Sequence, residues 1–289
     1  MAGDCTAMAG AADSLLAHEY EFSDMDFQRV RRLVYRHTGI ALSDSKRQLV
    51  YGRLSRRLRA LQLQAFDVYL QRVEHGDAQE LQNFCNAITT NLTSFFRENH
   101  HFQLLARQVL PALEVQNRES RRIRIWSAGC STGEEPYSIA MTLLESVPHL
   151  LRSWDVRVLA TDIDTNVLQH ARRGIYSTDR LEKMESSRMT RWFERGPDAG
   201  HFKICSAARN LVTFNELNLI SEWPMRGPFD IIFCRNVVIY FDRATQRGVV
   251  GHMERLQRPG DYLILGHSES LLDISTAYRL CGNTVHQKI

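Results

Sequence analysis

The sequence has few of the features that mark a disulfide-rich, zinc-binding or membrane-spanning protein. Its six cysteines are scattered, and no two of them form a Cys-x-x-Cys pair. This spacing argues against a zinc site or a disulfide framework and favours a reducing compartment. The longest apolar runs are about six residues, whereas a helix that spans a bilayer needs about 20. The chain does not open with a basic segment and an apolar core, so we expect no signal peptide and a soluble, cytoplasmic protein.

The chain also has little net charge, only +3 across 289 residues, so any strongly basic surface has to be local. Hydrophobic residues make up 44% of the sequence, which is enough for a sizeable core in one or two domains. The pattern of apolar residues divides the chain into four parts. We predict a mobile tail over residues 1–20, an all-helical domain over 21–91, a linking helix over 92–120 and an α/β domain over 121–289.

Strands and helices alternate in the predicted α/β domain, which indicates a parallel sheet with helices on its faces. This alternation breaks between residues 174 and 220, where short β runs at 201–205 and 211–216 follow a turn signal. We interpret these runs as a small antiparallel insertion that covers about residues 188–216. A Gly-Asn turn lies between two β runs in residues 278–287, so the sheet is expected to end in an antiparallel hairpin.

The predicted helical domain carries a concentrated positive charge. Residues 28–60 contain ten basic residues and one acidic residue, a local excess of nine positive charges. Helical spacing separates several of these cations from the face that carries Leu54 and Leu58. We predict that they form a docking face for an acidic partner, and an ordinary solvated helix face remains the alternative. The residues of this predicted docking face are Lys46, Arg53, Arg56, Arg57 and Arg59.

A turn of small residues follows the first strand of the α/β domain. Residues 123–126 favour a strand, residues 127–133 are all small, and Glu134, Glu135 and Pro136 suit the first turn of a helix. Such a corner binds nucleotides in open α/β sheets. The turn lacks both phosphate-binding glycine patterns, and its two carboxylates would repel a pyrophosphate. A cationic nucleoside such as S-adenosylmethionine fits this chemistry, and an ordinary connection before a well-capped helix is the alternative.

Other polar residues lie where predicted strands end, which is the edge at which open sheets bind ligands. Asp162 ends the second strand and can accept hydrogen bonds from both ribose hydroxyls. Its alternative role is to cap the next helix, which Asp164 can do instead. Arg235 and Asn236 end a continuous apolar strand, which indicates burial on both faces. The junction between the domains has three polar residues among apolar neighbours, either ligands or helix caps, at Asn91, Thr93 and Arg97.

Five motifs resemble, in order, the signatures of the chemotaxis receptor glutamate methyltransferases, the CheR family. They lie at residues 89–98, 131–138, 162–164, 233–242 and 266–269. The basic helical segment is also similar to the small domain of that family. The resemblance implies an α/β fold, with a Rossmann-like S-adenosylmethionine-dependent methyltransferase domain that carries a small antiparallel β insertion and follows a small all-helical domain.

The resemblance also implies an activity and a set of cofactor-binding residues. A methyl group would pass from S-adenosylmethionine to glutamate side chains of chemoreceptor cytoplasmic helical domains, leaving S-adenosylhomocysteine. Asp162 would bind the ribose, Glu135 the methionine ammonium, and Asn218 with the Leu219 backbone the adenine edge. The basic helix would dock the receptor, and the β insertion would hold a receptor C-terminal tether peptide. The residues expected to line the cofactor site are Asn91, Thr93, Arg97, Glu135, Asp162, Asn218, Leu219, Arg235 and Asn236.

Methylation of a glutamate needs no general base, because a glutamate carboxyl group in water has a pKa of about 4.3 and is ionised at neutral pH. We therefore expect catalysis by positioning and by exclusion of water, without a metal or a covalent intermediate. The resemblance places Arg97 and Tyr240 near the transferred methyl, where Arg97 would hold the incoming carboxylate and Tyr240 would orient it or exclude solvent. We expect a monomer that neither binds nucleic acid nor inserts into a membrane.

Two other functions are compatible with parts of the sequence. A nucleic-acid methyltransferase would use the basic helix to bind phosphates. Such enzymes usually carry an Asn/Asp-Pro-Pro-aromatic tetrad where residues 235–238 lie here, and Cys234 lies inside a buried strand, where it is unsuited to catalysis. A signalling adaptor that binds the cofactor without turnover is the other alternative, although the full set of site residues and Tyr240 argue against it.

Overall fold

The computed structural model describes residues 19–289. The tail predicted over residues 1–20 lies outside the described residues, except for Glu19 and Tyr20. Tyr20 is 8% exposed and packs in the core of the helical domain. Within the described part of the chain, no helix has the length and the apolar character needed to cross a membrane.

Within residues 19–91, four α-helices form the N-terminal domain, because their apolar residues recur at helical spacing and meet in one core. They are α1 (Asp24–Thr38), α2 (Arg47–Ala60), α3 (Phe66–Glu74) and α4 (Ala78–Ile88). A capping box starts α1, in which Ser23 and Asp26 each accept a hydrogen bond from the other's backbone N–H. Gly39 ends α1 in the left-handed conformation, with φ of 74°. The next residue, Ile40, forms an isolated β-bridge with Phe241 of the second domain.

A second helical stretch connects the domains. It consists of α5 (His100–Leu104), a π-helical turn (Leu105–Val109) and α6 (Leu110–Gln116). Pro111 lies in the first turn of α6, where its missing N–H costs least, and the wider π turn precedes it. Phe102 and Leu105 pack against one face of the main sheet, so this stretch belongs to the core of the second domain.

In the part of the chain that the structure describes, seven strands pair into the main sheet. In spatial order they are β6 (Val212–Glu216), β2 (Asp155–Asp162), β1 (Arg122–Ala128), β7 (Ile231–Cys234), β8 (Tyr262–Leu265), β10 (Val285–Lys288) and β9 (Tyr278–Gly282). The first five are parallel, and β10 is antiparallel to both of its neighbours. The predicted parallel sheet with an antiparallel hairpin at its end is therefore confirmed.

Helices cover both faces of this sheet. The principal ones are α7 (Glu134–Ser146), α8 (Thr165–Arg173) and α12 (Arg243–Arg255). Because side chains alternate along a strand, Ile125 packs in the core that contains α7 and the connecting helices, while Trp126 packs in the core that contains α12. All four residues of β7 are buried, as the continuous apolar run predicts.

A second sheet of three short antiparallel strands interrupts the α/β pattern. Its elements are β3 (Ile175–Ser177), α9 (Thr178–Leu181), α10 (Ser186–Trp192), β4 (Phe193–Arg195) and β5 (His201–Ile204), followed by α11 (Ser206–Arg209). The prediction that residues 211–216 belong to this insertion is wrong, because β6 pairs in parallel with β2. The outer edge of β2 has backbone groups that need partners, and β6 supplies them. The third strand of the insertion comes instead from β3, which pairs with β5 in the middle of the small sheet.

Candidate active site

A cleft opens at the carboxyl edge of the main sheet, next to β1 and β7, where the strand order reverses. It contains about 960 Å³ of empty space, including the part that is open to solvent. Every residue assigned to the cofactor site from the sequence lines this cleft, and so does Tyr240. The structure thus brings together Asn91, Thr93, Arg97, Glu135, Asp162, Asn218, Leu219, Arg235, Asn236 and Tyr240.

The turn after β1 requires glycine at two positions because of what packs against it. Gly129 has φ of 85°, and a Cβ atom there would lie 2.4 Å from Val237. Gly133 has φ of 98°, and a Cβ atom there would lie 2.9 Å from both Ala171 and the Tyr176 hydroxyl. Any larger residue would push the turn away from these neighbours, so the two glycines fix the path of the turn, and Gly129 itself lines the cleft.

Asp162 joins this turn to the end of β2. Its carboxylate accepts hydrogen bonds from the backbone N–H of Ser131, at 2.7 Å, and of Asp164, at 3.0 Å. Burial raises the pKa of Asp162 to about 6, although these two N–H groups oppose the shift. Asp164, not Asp162, caps α8, and it also accepts hydrogen bonds from Thr89 and Asn91. The capping role is therefore filled, and Asp162 is directed to the cleft.

Glu135 lies in the first turn of α7 and is held by two donors. The Ser127 hydroxyl donates to Oε1 at 2.7 Å, and the Arg235 guanidinium donates to Oε2 at 3.0 Å. Burial raises the pKa of Glu135, and the positive charge of Arg235 opposes this rise. Arg235 also pairs with Glu98 at 3.3 Å and donates to the Arg97 carbonyl at 2.5 Å. Its charge is thus shared between two carboxylates.

Arg97 lies in a segment with unusual backbone geometry. Its neighbours Phe96 and Glu98 have φ of 51° and 56°, in a region that residues other than glycine seldom adopt. The Phe96 N–H donates to the Ser138 hydroxyl on α7 at 3.0 Å, and the Arg97 guanidinium donates to the Leu92 carbonyl at 2.8 Å. These contacts fix Arg97 at the cleft while leaving most of its N–H donors available.

Sequence reasoning missed the role of Glu269, the last residue of the fifth motif. Its carboxylate accepts four backbone hydrogen bonds, from Asn236 at 2.8 Å, Val237 at 2.9 Å, Ile239 at 3.3 Å and Gly266 at 2.6 Å. Burial raises the pKa of Glu269, and the four N–H groups oppose this rise. One side chain therefore shapes the loop that follows β7 and leads to Tyr240. An acidic residue shortly after a buried strand was the available signal.

The end of α1 contributes two residues to the cleft that the sequence did not predict. Thr38 and Ile40 line it, immediately before and after the end of α1 at Gly39. The Ala41 N–H donates to the Tyr240 carbonyl at 2.9 Å, so the two domains meet at the candidate catalytic residue. No local pattern marked these residues, because their role depends on how the two domains pack.

Asn218 also connects the domains. Its amide nitrogen donates to the His37 carbonyl at 2.7 Å, and its amide oxygen accepts from the Ile220 N–H at 3.2 Å. Leu219 lines the cleft beside it and is 7% exposed. Part of the hydrogen-bonding capacity of Asn218 is therefore used within the protein.

Two residues of the predicted docking face hold the helical domain together. Arg53 donates to the backbone carbonyls of Ile88 and Thr89 at the end of α4. Arg57 forms a paired hydrogen bond with Glu80, at 2.7 and 3.0 Å, and the Glu80 side chain is only 3% exposed. Both arginines are bonded inside the domain, so their effect on a partner is tied to the fold of α2 and α4.

Carboxylates outside residues 28–60 compensate much of the local charge excess. These ion pairs join Arg29 to Asp67 and Glu74, Arg47 to Asp24, Arg57 to Glu80 and Arg59 to Glu19. Lys46 and Arg56 are exposed and form no ion pair within residues 19–289. They are the two members of the predicted face whose charges are directed to solvent.

The fold and the cleft together define the class. An open α/β sheet with a terminal antiparallel hairpin, a small-residue turn after β1 and acidic residues at Glu135 and Asp162 form a Rossmann-like S-adenosylmethionine-dependent methyltransferase. Comparison with known families identifies the family within this class. Residues 25–89 match the family described as "CheR methyltransferase, all-alpha domain", and residues 91–286 match "CheR methyltransferase, SAM binding domain". The chain belongs to the CheR methyltransferase family.

Curated relatives cover nearly the whole chain. "Chemotaxis protein methyltransferase 2" of Pseudomonas aeruginosa is 47% identical over 273 residues, which are 93% of this chain and 94% of that protein. "Chemotaxis protein methyltransferase" of Escherichia coli is 44% identical over 268 residues, 91% of each chain. "Chemotaxis protein methyltransferase" of Klebsiella aerogenes is 42% identical over 282 residues, which are 96% of this chain and 94% of that protein.

Proposed function

We propose that the protein transfers a methyl group from S-adenosylmethionine to glutamate side chains of chemoreceptor cytoplasmic helical domains, and so forms methyl esters. The observation that supports this most is the single cleft, lined both by the residues assigned to the cofactor and by Arg97 and Tyr240. The names of the relatives support a chemotaxis methyltransferase. The glutamate specificity is our inference from the chemistry of the cleft and from the family.

The donor groups of the cleft fit a cationic nucleoside. Asp162 accepts two backbone hydrogen bonds, which leaves lone pairs free for ribose hydroxyls. Each oxygen of Glu135 has one donor, and a further lone pair is free for the ammonium group of the cofactor. The Leu219 backbone and Asn218 remain our candidates for the adenine edge.

The bound cofactor supplies an electrophilic methyl group, and the protein's task is to place an acceptor carboxylate beside it. A glutamate is ionised at neutral pH, so no residue has to remove a proton. In our proposal Arg97 pairs with the incoming carboxylate, and Tyr240 orients it and excludes water. Proximity and orientation of this kind lower a barrier by about 7–11 kcal/mol.

Receptor docking is the second part of the proposal, with the basic face of α2 against acidic receptor helices. Lys46 and Arg56 are the residues that contribute charge most directly, because both are exposed and unpaired within residues 19–289. Arg53, Arg57 and Arg59 contribute less directly, since Arg53 is bonded to backbone carbonyls of the helical domain and the charges of Arg57 and Arg59 are compensated by Glu80 and Glu19. Complementary charge of this kind mainly raises association rates and selects partners.

The three-stranded insertion is our candidate for a tether-peptide site. Its middle strand is β5, so β3 and β4 leave backbone groups at the two edges, and an extended peptide can add a strand to such an edge. We expect C-terminal peptides of receptors that carry a tether to bind in a fluorescence titration, while peptides of scrambled sequence do not. Equal binding of both peptides would remove the tether from the proposal.

Label transfer from radioactive S-adenosylmethionine tests the proposed reaction. We expect label on receptor cytoplasmic fragments, in a linkage that base hydrolyses as it does a carboxylate ester, and no label on nucleic acid. Arg97→Ala and Tyr240→Phe should each lower turnover by about 10-fold or more while leaving the affinity for S-adenosylhomocysteine within about twofold, because their role is with the acceptor. Exposed Arg122, at the opposite edge of the sheet, provides the control variant Arg122→Ala. Label on nucleic acid alone, or unchanged turnover in both cleft variants, would contradict the proposal.

A further inference from the structure

A buried histidine nitrogen without a hydrogen-bond partner faces a carboxylate oxygen beside the candidate active site. Glu98 Oε2 and His101 Nδ1 are 3.6 Å apart. Oε2 also forms an ion pair with the Arg235 guanidinium at 3.3 Å, whereas Nδ1 has no hydrogen-bond partner among the described residues. His101 is fully buried and the Glu98 side chain is 12% exposed. Buried polar atoms nearly always have a partner, so the unpaired Nδ1 of His101 is unfavourable without a ligand.

The other ring nitrogen of His101 identifies which atom carries the proton. Nε2 lies 2.7 Å from the Asn283 carbonyl oxygen, which can only accept a hydrogen bond. Nε2 therefore carries hydrogen, and in the neutral ring Nδ1 presents its lone pair to Glu98. A doubly protonated ring would not satisfy the pair either, since 3.6 Å exceeds the length of an N–H···O hydrogen bond.

A third ligand-type side chain lies beside this pair. His100 is exposed, and one ligand atom from each of Glu98, His100 and His101 lies within 4.8 Å of the other two. Ligand atoms around a tetrahedral zinc ion are about 3.3 Å apart, so the three side chains have to move closer together, and the exposed His100 ring is free to rotate towards the other two. His267 Nδ1 lies 3.1 Å from the second oxygen of Glu98, in the position of an outer-sphere partner that orients a ligating carboxylate.

The geometry points to a binding site for a divalent transition-metal ion, of which Zn²⁺ is the best example, formed by Glu98, His100 and His101. Two imidazole nitrogens and one carboxylate oxygen are the ligands that zinc accepts, and they leave a fourth position for water. The carboxylates of Glu98 and Glu135 outnumber the single Arg235 guanidinium between them, so the surroundings tolerate an added cation. The three ligands lie outside the residues that line the cleft, and methyl transfer needs no metal in our account.

A metal ion at this site would link three parts of the fold to one another. Glu98 belongs to the junction between the domains, His100 and His101 start α5, and His101 is bonded to Asn283 in the hairpin turn between β9 and β10. A ligand that binds the folded protein but not the unfolded chain stabilises it by mass action. We therefore expect Zn²⁺ to raise the midpoint of thermal unfolding in proportion to the logarithm of its concentration above the Kd.

Titration of the tag-free full chain with Zn²⁺ in a calorimeter, and with Co²⁺ followed by visible absorption, tests this site. We expect one equivalent of metal and the strong absorption bands of tetrahedral Co²⁺, which Zn²⁺ abolishes by displacement. His100→Ala and Glu98→Gln should each weaken metal binding by about 10-fold or more, since the loss of an outer-sphere partner alone costs about 10–100-fold. His267→Ala should weaken it by about 10-fold for that reason.

His149→Ala provides the matched control, because His149 is also an exposed histidine paired with a glutamate, Glu114, at 3.1 Å, but has no third ligand among the described residues. It should leave the affinity unchanged. Thermal unfolding without metal confirms that each variant is folded, and His100→Ala changes only an exposed side chain. The proposal is overturned if the wild type binds no metal, if affinity persists in both His100→Ala and Glu98→Gln, or if His149→Ala weakens binding equally.

Discussion

At the scale of single residues, Asp162 is a buried carboxylate of the cleft whose pKa is set by two opposing effects. Burial raises its pKa to about 6, while two backbone N–H groups favour the charged form. Ribose hydroxyls that donate to Asp162 would also favour the charged form. Ligand binding should therefore lower the pKa of Asp162, which links the affinity of the cleft to pH.

We predict that S-adenosylhomocysteine binds with nearly constant affinity above about pH 7 and more weakly as the pH falls through about 6, the pKa of free Asp162. The neutral acid has to lose its proton before it can accept two hydrogen bonds, so the affinity should fall by at most about 10-fold per pH unit. Calorimetric titrations from about pH 5 to about pH 8 measure this dependence. Asp162→Asn should bind more weakly and lack this inflection, and an equal inflection in the variant would assign it to another group.

At the scale of structural elements, the loop after β7 depends on one acidic side chain. Glu269 accepts the N–H groups of three loop residues and of Gly266, and an amide nitrogen in place of either carboxylate oxygen would face some of these donors with another donor. The same loop carries Asn236 in the left-handed conformation, with φ of 59°, and leads to Tyr240. Loss of the Glu269 carboxylate should therefore lower the stability of the protein and also distort the cleft.

We predict that Glu269→Gln lowers the free energy of unfolding by about 2–3 kcal/mol, because its new NH₂ group faces backbone donors in a buried site. Urea denaturation measures this change, with the exposed Glu182→Gln as control. S-adenosylhomocysteine should also bind more weakly to the folded variant. A loss below about 0.5 kcal/mol, the size expected for a surface substitution, would refute the role given to Glu269.

The number of basic residues in helix α2 overstates the positive charge that it can offer to a partner. Arg53 and Arg57 follow the helical spacing of a docking face, yet folding brings the α4 carbonyls and the buried Glu80 against them. Charge reversal at either position would disrupt the domain and any docking surface together. Substitutions at Lys46 and Arg56 separate the two effects, because neither residue has an ion-pair partner in residues 19–289.

We predict that Lys46→Glu and Arg56→Glu each raise the KM for a receptor fragment by roughly 3–10-fold at low ionic strength, since each replaces attraction with repulsion at an exposed site. The affinity for S-adenosylhomocysteine should not change. Arg122→Glu, at the amino edge of β1 and far from α2, controls for the change in net charge. An unchanged KM in both α2 variants would place the docking surface elsewhere.

At the scale of the whole molecule, the cleft belongs to both domains. Thr38 and Ile40 line it from the helical side, Tyr240 is bonded to Ala41, and Asn218 is bonded to His37. The shape of the cleft therefore depends on how the two domains pack. The small domain contributes to the candidate active site in addition to any role in docking.

This arrangement explains how much the sequence could predict. Asp162, Glu135 and Arg235 follow strands or start a helix at the carboxyl edge of one parallel sheet, so their convergence follows from local pattern and sheet geometry. Thr38 and Ile40 carry no such pattern, and only domain packing brings them to the cleft. The short run at residues 211–216 fits either sheet, and the unpaired edge of β2, which no local signal reveals, decided its place.

Calorimetric titration with S-adenosylhomocysteine tests the central claim most directly, with two adjacent glutamates as a matched pair. Glu135 lines the cleft, whereas Glu134 is buried on the same turn and pairs with Thr132 and Arg180. We predict that the wild type and Glu134→Gln bind one equivalent with similar affinity, while Glu135→Gln binds about 10-fold or more weakly, since a hydrogen bond to a charged group contributes about 1.5–3 kcal/mol. No heat from the wild type, or an equal loss in both variants, would contradict the account.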